Sequence, residues 1–171
     1  MELREAIEKR RSIRTYEDRP IPEEKLRRVL EAARLAPSAS NRQPWKFVVV
    51  RDVESRKKLA RAAEDQSFVG EAPVVIAAVA LRTDHIMRCG VHSYPVDLAI
   101  AVDHMTLVAV EEGLGSCWIG AFSQEEVKRI LNIPKQYMVV TLLPMGYPAQ
   151  AGGLKSRKSL EEIISYETFS E

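Results

Sequence analysis

The sequence predicts one domain of the α+β class. Its 171 residues are 46% hydrophobic and 29% charged, which is enough for one core without disulfides or metal. Helical and strand patterns are mixed along the chain without the strict strand–helix alternation of a parallel sheet, so an α+β arrangement is favoured. No repeat, linker or low-complexity stretch divides the chain, and residues 1–171 are therefore expected to form one domain.

Helices are predicted where apolar residues recur with helical spacing or where a capping signal opens a segment. The clearest stripe, at positions i, i+3, i+4 and i+7, begins at Leu26 and ends at Ala33. Capping boxes, a Ser followed three residues later by Glu, stand at Ser123 and Ser159. Residues 95–112 are mostly apolar on every side, which is typical of a central buried helix. The predicted helices cover residues 2–10, 23–36, 54–64, 95–112 and 124–131, with a short last helix after Ser159.

Strands are predicted from short runs of β-branched, aromatic and other apolar residues. Residues 74–81 are apolar without alternation, which indicates a strand buried on both faces. The other predicted strands cover residues 45–50, 116–121 and 138–145, and residues 12–18 look extended. The segment 37–44 has proline at both ends and small polar residues between them, so regular structure is not expected there.

Composition argues against several classes of function. Lys and Arg number 25 against 24 Asp and Glu, so the formal net charge of +1 gives no general argument for nucleic acid or an anionic membrane. Two cysteines cannot form a disulfide scaffold, which favours a reducing compartment. The apolar run 72–81 is too short to span a bilayer, and residues 1–14 lack the apolar stretch of a signal peptide. We therefore expect a cytoplasmic protein.

Residues 10–14, Arg-Arg-Ser-Ile-Arg, concentrate three arginines and a hydroxyl. In an extended backbone Ser12 and Arg14 lie on one side, with Arg10 at the end of the preceding helix. Guanidinium forks and a hydroxyl are the groups that bind a phosphate dianion. A solvated basic patch is the alternative, because acidic residues are interleaved with the cluster. Nucleic-acid binding is disfavoured, since residues 1–35 carry ten basic and eight acidic side chains, a net of only +2.

Two further segments are candidates for binding a flat ligand. The segment 37–44 offers Asn and Gln amides, which pair with a heterocycle edge that shows both a carbonyl and an N–H. The segment 113–120 contains Gly-x-Gly but neither the third glycine nor the following helix of a dinucleotide fingerprint. Its glycines would let a flat ligand approach the backbone. The alternatives are an ordinary helix-to-strand connection and a helix end followed by a tight turn.

Two other clusters carry less information. If residues 85–92 were helical, His85, Cys89 and His92 would share one face and could hold zinc or another transition metal. Gly90 interrupts that segment and no second Cys/His pair follows, so a polar connection is favoured and no metal is expected. The late basic run at residues 155–158 is interpreted as surface, unless it closes around the same phosphate as the N-terminal arginines.

Taken together, these segments resemble the FMN-dependent nitroreductase family. They occur in the order of the family's motifs, and the similarity extends over roughly residues 2–165, nearly the whole chain. No single motif is specific, whereas the ordered set is. The matching motifs are RRSIR at 10–14, PSASNRQPW at 37–45, GLGSCWIG at 113–120, LPMGYP at 143–148 and Lys155-x-Arg157.

The resemblance implies a fold, two cofactors and a reaction. The fold would be a three-layer sandwich, a central mostly antiparallel sheet flanked by helices, in an intertwined homodimer. Each of two FMN molecules would lie at the dimer interface and be touched by both subunits. NAD(P)H would pass a hydride through FMN to a nitroaromatic, quinone or similar conjugated small-molecule acceptor by a ping-pong mechanism. Because FMN carries the chemistry, no catalytic residue is assigned.

The resemblance also implies roles for particular residues. Those expected at the FMN phosphate and ribityl chain are Arg10, Ser12, Arg14, Lys155 and Arg157, with Arg11 against the ring or ribityl chain. Those expected from the other subunit, over the ring and its tail, are Pro37, Ser38, Ala39 and Asn41. Ile119 and Gly120 would offer backbone near the flavin N5, and Gln66 would approach the polar edge of the ring. The expected set is completed by Gln43, Trp118 and Gly146.

The chain is short for this family. The segment between Leu81 and Pro95 holds no long helical insertion, so the identity of the acceptor stays open. Two alternatives stay open as well. One is a flavin-fragmenting or dehalogenating relative, which usually carries a longer lid, and the other is a non-catalytic flavin-binding or redox-sensing module.

Overall fold

An antiparallel sheet of four strands organises the computed structural model, which describes residues 1–153 and 156–170. The strand order is β1-β2-β4-β3, and every neighbouring pair is antiparallel. Each residue of the β2 run VVIAAVA is buried, as its unbroken apolar sequence predicts. The strands are β1 Trp45–Val50, β2 Val74–Ala80, β3 Gly115–Ser116 and β4 Met138–Gly146.

Helices cover both faces of this sheet, which confirms the predicted three-layer α+β sandwich. Side chains alternate along β2, so that Ile76 faces one layer and Val75 the other. On the first face the core is completed by α2 and α5, and on the second by α3, α4 and α6. The helices are α1 Leu3–Lys9, α2 Glu23–Arg34, α3 Val53–Ala62, α4 Ser67–Glu71, α5 Ser93–Glu111 and α6 Gln124–Leu131.

Helix α5 is the central helix that residues 95–112 predict. With 19 residues and a mean hydropathy of 1.2, it is long and apolar enough to cross a membrane by length and composition alone. In this fold it packs against α2 and the sheet, and its buried residues Leu98, Val102 and Met105 belong to the first core layer. The core helix of a soluble protein meets the same criteria, so this helix is no argument for a membrane span.

The strand predicted at 116–121 is wrong in extent. Only Gly115–Ser116 form β3, and beyond it a single bridge pairs Ile119 with Leu142. The cause lies in the partner strand, where Pro144 accepts from the Cys117 N–H at 3.2 Å but has no N–H to return. The ladder is interrupted at that point, and Trp118 next to it is 41% exposed.

The short last helix is also wrong, although its capping box forms. The Ser159 N–H donates to the Glu162 carboxylate at 2.7 Å, and the Glu162 N–H donates to the Ser159 hydroxyl at 3.3 Å. Only a turn at residues 161–163 follows. Leu160 and Ile163 are 61% and 65% exposed, and a short helix without packing is not stable. Conversely, the five-residue helix α4 forms where the sequence did not predict a helix.

Glu112, which follows α5, joins that helix to α2. The Arg28 guanidinium donates to its carboxylate, with 2.8 Å between Nη2 and Oε2, and Lys25 donates to its backbone carbonyl. The hydrogen bond from Arg28 is the main cause that lowers the pKa of Glu112 below its ordinary value of 4.5. The contact therefore stabilises the fold only while the carboxyl group is ionised.

We expect Glu112→Gln to lower the free energy of unfolding at pH 7 by at most about 1 kcal/mol, since Arg28 is half exposed. Because folding lowers the pKa of Glu112, the ion pair stabilises the folded protein fully above pH 4.5. This stabilisation is lost as the pH falls through the pKa of Glu112 in the folded protein. The difference from wild type should therefore shrink between pH 7 and pH ~3. Urea denaturation at the two pH values measures it, with Glu54→Gln on the exposed face of α3 as control. An equal difference at both pH values would contradict the assignment.

Candidate functional site

The N-terminal arginine cluster lies at the β3 edge of the sheet. Arg10 ends α1, and Ser12 then pairs with Ser116 in a parallel bridge, with 2.9 Å between the Ile13 nitrogen and the Ser116 oxygen. This confirms that residues 12–18 begin as an extended segment. Gly115 makes the approach possible, because a Cβ there would lie 2.4 Å from Cγ1 of Ile13. Ser12 and Arg14 are thereby held on a buried anchor, Ile13.

Arg10 and Arg14 are not engaged by the acidic residues around them. Those acidic residues pair elsewhere: Glu5 binds Lys9 at 2.6 Å and Glu8 binds Arg4 at 2.9 Å. Among residues 1–153 and 156–170, no hydrogen bond or ion pair engages either guanidinium group. The Cζ atom of Arg14 lies 5.9 Å from the ring centroid of Phe68 on α4. Two cations on one edge without an acidic partner favour the anion-binding interpretation over the solvated patch.

Arg11 has a different environment from its two neighbours. Its guanidinium donates to the carbonyls of Glu8 and Arg10 at 2.5 and 2.9 Å, where it satisfies the C-terminal end of α1. A Cβ at Gly152 would lie 2.6 Å from the Cβ of Arg11, so the late segment crosses the cluster here. The role of Arg11 against the flavin stays a prediction.

The late basic residues are not brought onto the cluster in the described part of the chain. The Arg157 guanidinium donates to the neighbouring Ser156 carbonyl at 3.1 Å and is exposed. Lys155 lies outside the described residues. The closing of these residues around a phosphate stays a prediction.

The backbones of Ile119 and Gly120, both expected near the flavin N5, have different hydrogen bonding. Ile119 donates its N–H to the Leu142 carbonyl at 2.9 Å, and its carbonyl accepts from the Leu142 N–H and the Thr141 hydroxyl. Gly120 is exposed, and no described residue engages its N–H. A Cβ at Gly120 would meet nothing within 4 Å, so packing does not require glycine here. Of the two backbones, that of Gly120 is the one available to a ligand.

Helix α4 and its N-cap residue Gln66 contact both the segment that follows Gly120 and the arginine cluster. The Gln66 amide donates to the carbonyls of Ala63 and Ala121, at 2.8 and 3.4 Å, one residue beyond Gly120. Phe68 on the same helix faces Arg14. Gln66 is thus placed beside the Gly120 backbone, and its contact with the flavin ring stays a prediction. The contact between Phe68 and Arg14 was not expected from the sequence.

The loop 37–44 forms a strained turn at the other side of the sandwich. Ser40, Asn41 and Gln43 have φ values of 53°, 53° and 49°, in the left-handed region. Within the loop, the Ser38 hydroxyl accepts from the Gln43 N–H at 2.9 Å, and the Gln43 amide donates to the Asn41 carbonyl at 3.1 Å. Pro37 is exposed at its start. The segment is irregular, as its composition predicts, apart from one 3-10 turn at Ala39–Asn41.

Within one chain this loop and the arginine cluster stay apart. Among the described residues, no hydrogen bond, ion pair or ring contact joins the segment 37–44 to residues 10–14 or 118–120. Among the described residues outside the loop, the side chains that bind it belong to Asp97 on α5 and to His85 in the connection between β2 and α5. The single chain therefore presents two separate parts of the expected FMN site.

The helix on which the weak metal candidate at His85, Cys89 and His92 depended is not formed. Residues 86–92 form a hairpin rather than a helix, with an Ile86–His92 bridge and 2.8 Å between the Met87 nitrogen and the Val91 oxygen. His85 Nε2 lies 3.0 Å from the Arg42 guanidinium, and Cys89 is exposed at the turn. Among residues 1–153 and 156–170, no group of three or more His, Cys, Asp or Glu side chains is placed to hold a metal.

Gly146 is accounted for by packing. A Cβ there would lie 2.6 Å from Cδ of Pro73 and 2.9 Å from Cδ1 of Tyr16. The Tyr16 hydroxyl donates to the Ile13 carbonyl at 2.7 Å and to the Pro144 carbonyl at 3.2 Å. Burial raises the pKa of Tyr16 well above its ordinary value, so this phenol stays a neutral donor that anchors Ile13. A cofactor contact at Gly146 stays a prediction.

Known proteins match this chain over most of its length. The family model described as "Nitroreductase family" matches residues 7–147. An NADH dehydrogenase of Thermus thermophilus is 34% identical in an alignment of 195 positions, gaps included, that covers 96% of this chain and 95% of the relative. The crystal structure of a nitroreductase family protein from Clostridium difficile 630 aligns with a TM-score of 0.88 at 34% identity, over 99% of this chain and 100% of the other.

A third match bears on the cofactors. The structure of the NADPH:FMN oxidoreductase from Vibrio harveyi, complexed with NAD+, aligns with a TM-score of 0.90 at 25% identity, over 99% of this chain and 78% of the other. The class of protein is thus an NAD(P)H-dependent oxidoreductase that uses FMN. The chain belongs to the nitroreductase family, which confirms the resemblance drawn from the ordered motifs.

Proposed function

We propose that this chain passes a hydride from NAD(P)H, through bound FMN, to a small conjugated acceptor such as a nitroaromatic or a quinone, in ping-pong order. The observation that carries the proposal is the edge where Arg10 and Arg14 have no partner among the described residues and Gly120 exposes its backbone. Membership of the nitroreductase family supports the choice of cofactor.

The residues at this edge fit FMN. The Arg10 and Arg14 guanidinium groups supply charge and donors for a phosphate dianion, and the Ser12 hydroxyl adds a further donor. Gly120 lets a flat ring approach its N–H without a Cβ in the way. When bound, FMN supplies the redox chemistry by accepting and releasing a hydride.

The chain's own residues bind and orient rather than transfer protons. The Tyr16 hydroxyl is held by two carbonyls, and its pKa is raised by burial. The proton that the acceptor requires comes from solvent, and no dedicated acid is assigned.

The active form in this proposal is a homodimer. On α5, opposite its core face, Val96 is 40% exposed, and on α1 Leu3 and Ile7 are 67% and 56% exposed. Near the C-terminus Tyr166 and Phe169 are 82% and 84% exposed. These apolar side chains are available for contact with a second copy. Association of two copies would bring the loop 37–44 of one copy to the arginine edge of the other, and the dimer would be cytoplasmic.

The proposal is tested first by the absorption spectrum of the purified protein before and after denaturation. A flavin band whose chromophore is released as FMN is the expected result. Anaerobic NADH or NADPH should then bleach the band, and a quinone or nitroaromatic should restore it. Colourless protein that takes up no added FMN would overturn the proposal. FMN binding without oxidation of NAD(P)H would instead support the redox-sensing alternative.

FMN should raise the melting temperature, because a ligand that binds only the native state stabilises it. At ten times its dissociation constant the gain is about 1.4 kcal/mol, or roughly 3–6 °C for a chain of this size. Thermal denaturation with increasing FMN measures the shift, and sedimentation under the same conditions measures dimer content. Equal melting temperatures with and without excess FMN would contradict binding at this site.

A further inference from the structure

Asp97 is a buried carboxylate in the apolar helix α5. It is 3% exposed, and its neighbour Leu98 lies in the core. Its Oδ1 accepts from the Ala39 N–H at 2.8 Å. Its Oδ2 is the one buried side-chain nitrogen or oxygen of the described residues that has no hydrogen-bond partner. Burying a carboxylate oxygen without a donor is unfavourable, so a reason other than stability is needed for this residue.

The group that Asp97 holds is the loop 37–44. Three non-glycine residues of this loop, Ser40, Asn41 and Gln43, are left-handed, and such residues cost roughly 1–3 kcal/mol each. Strained backbone of this kind persists only where the surroundings determine it. The bonds from Ser38 and Gln43 are internal to the loop and do not fix it to the rest of the protein.

In the part of the chain that the structure describes, two side chains outside the loop bind it. His85 contacts the exposed Arg42 from the hairpin, at 3.0 Å. Asp97 binds the backbone of Ala39 from a buried position on the longest helix. The Leu81 N–H also donates to the Pro44 carbonyl at 2.8 Å, which holds the far end of the loop at the start of β1. The bond from Ala39 holds the near end, and it is less exposed than the contact of His85 with Arg42. A hydrogen bond to a charged acceptor is stronger where it is partly buried than at the surface.

We propose that Asp97 is a positioning residue for FMN. It acts through the Ala39 N–H and fixes the loop in the conformation that presents Ser38 and Asn41 to the cofactor. It makes no contact with FMN itself. This inference rests on the proposed function, because the role of the loop in FMN binding comes from it.

The test compares Asp97→Ala and Asp97→Asn with wild type in the full chain freed of FMN. FMN fluorescence titration gives the dissociation constant, and urea denaturation without FMN gives the stability. Asp97→Ala should raise the dissociation constant about tenfold or more, since a bond to a charged acceptor is lost. Its unfolding midpoint should change little, because the removal of the unpartnered buried oxygen offsets the loss of the bond from Ala39. Asp97→Asn should bind within about threefold of wild type, because its amide oxygen still accepts from Ala39.

Thr106→Val is the matched control. Thr106 is a buried polar residue of the same helix, and its hydroxyl donates to the Asp103 carbonyl at 2.8 Å, away from the loop. It should leave the dissociation constant unchanged. Wild-type affinity in Asp97→Ala would overturn the inference, as would equal losses in Asp97→Ala and Asp97→Asn. Wild-type protein that binds no FMN would instead overturn the proposed function.

Discussion

Replacing Arg10 by alanine should weaken FMN binding by roughly 10- to 100-fold. A charge-assisted bond from a guanidinium to a phosphate contributes about 1.5–3 kcal/mol, and no second residue can take the same position at the end of α1. The stability of the FMN-free protein should hardly change, because no described residue forms a hydrogen bond or ion pair with the Arg10 guanidinium. FMN fluorescence titration and urea denaturation of the same preparations measure the two effects separately.

Two matched variants make this result specific. Lys58→Ala removes a cation from the exposed face of α3 and should leave FMN affinity unchanged. Arg11→Ala removes the same charge one residue away, but its guanidinium is bound to the carbonyls of Glu8 and Arg10. It should lower stability by about 1 kcal/mol and affect FMN less than Arg10→Ala does. If Arg10→Ala and Lys58→Ala retain FMN equally, Arg10 does not belong to the phosphate site.

The fold was predictable where burial alone decides structure. The apolar stripe of α2, the unbroken apolar run of β2 and the mostly apolar sequence of α5 are direct consequences of which faces are buried. The predicted extent of an element was wrong where it depends on residues far away in the sequence. The length of β3 depends on Pro144 in a strand 28 positions away from Ser116. The last helix was predicted from a local cap, and that cap formed without the packing that a helix needs.

The family was predictable from the ordered set of motifs, whereas the surroundings of each candidate site residue were not. Arg10 and Arg11 look equivalent in sequence, and only the backbone carbonyls near Arg11 distinguish them. Ile119 and Gly120 were likewise treated as a pair, until the ladder to Leu142 engaged one and not the other. Asp97 was missed because its partner, Ala39, is 58 residues away. Its signal in the sequence is one of three acidic residues in a mostly apolar helix, which alone does not indicate what it binds.

Replacing Gly115 by alanine should damage both the fold and the site. Its φ is not in the left-handed region, so the effect of alanine is steric: the new Cβ would lie 2.4 Å from Cγ1 of Ile13 and 3.0 Å from Cγ of Pro148. Overpacking of this kind costs about 1–3 kcal/mol. The extended segment must move away from β3, which carries Ser12 and Arg14 with it. Urea denaturation should therefore show lower stability, and FMN titration should show a raised dissociation constant.

Gly120→Ala and a double mutant test whether the effect of Gly115→Ala comes from the contact with Ile13. Gly120→Ala adds a Cβ with nothing within 4 Å, so its stability should stay within about 0.5 kcal/mol of wild type while FMN binding weakens. Ile13→Ala removes the side-chain atom nearest to the new methyl group, so Gly115→Ala and Ile13→Ala together should cost less than the sum of the two single changes. Strict additivity, or a Gly115→Ala protein as stable as wild type, would show that the Gly115–Ile13 contact does not hold Ser12 and Arg14 at the sheet edge.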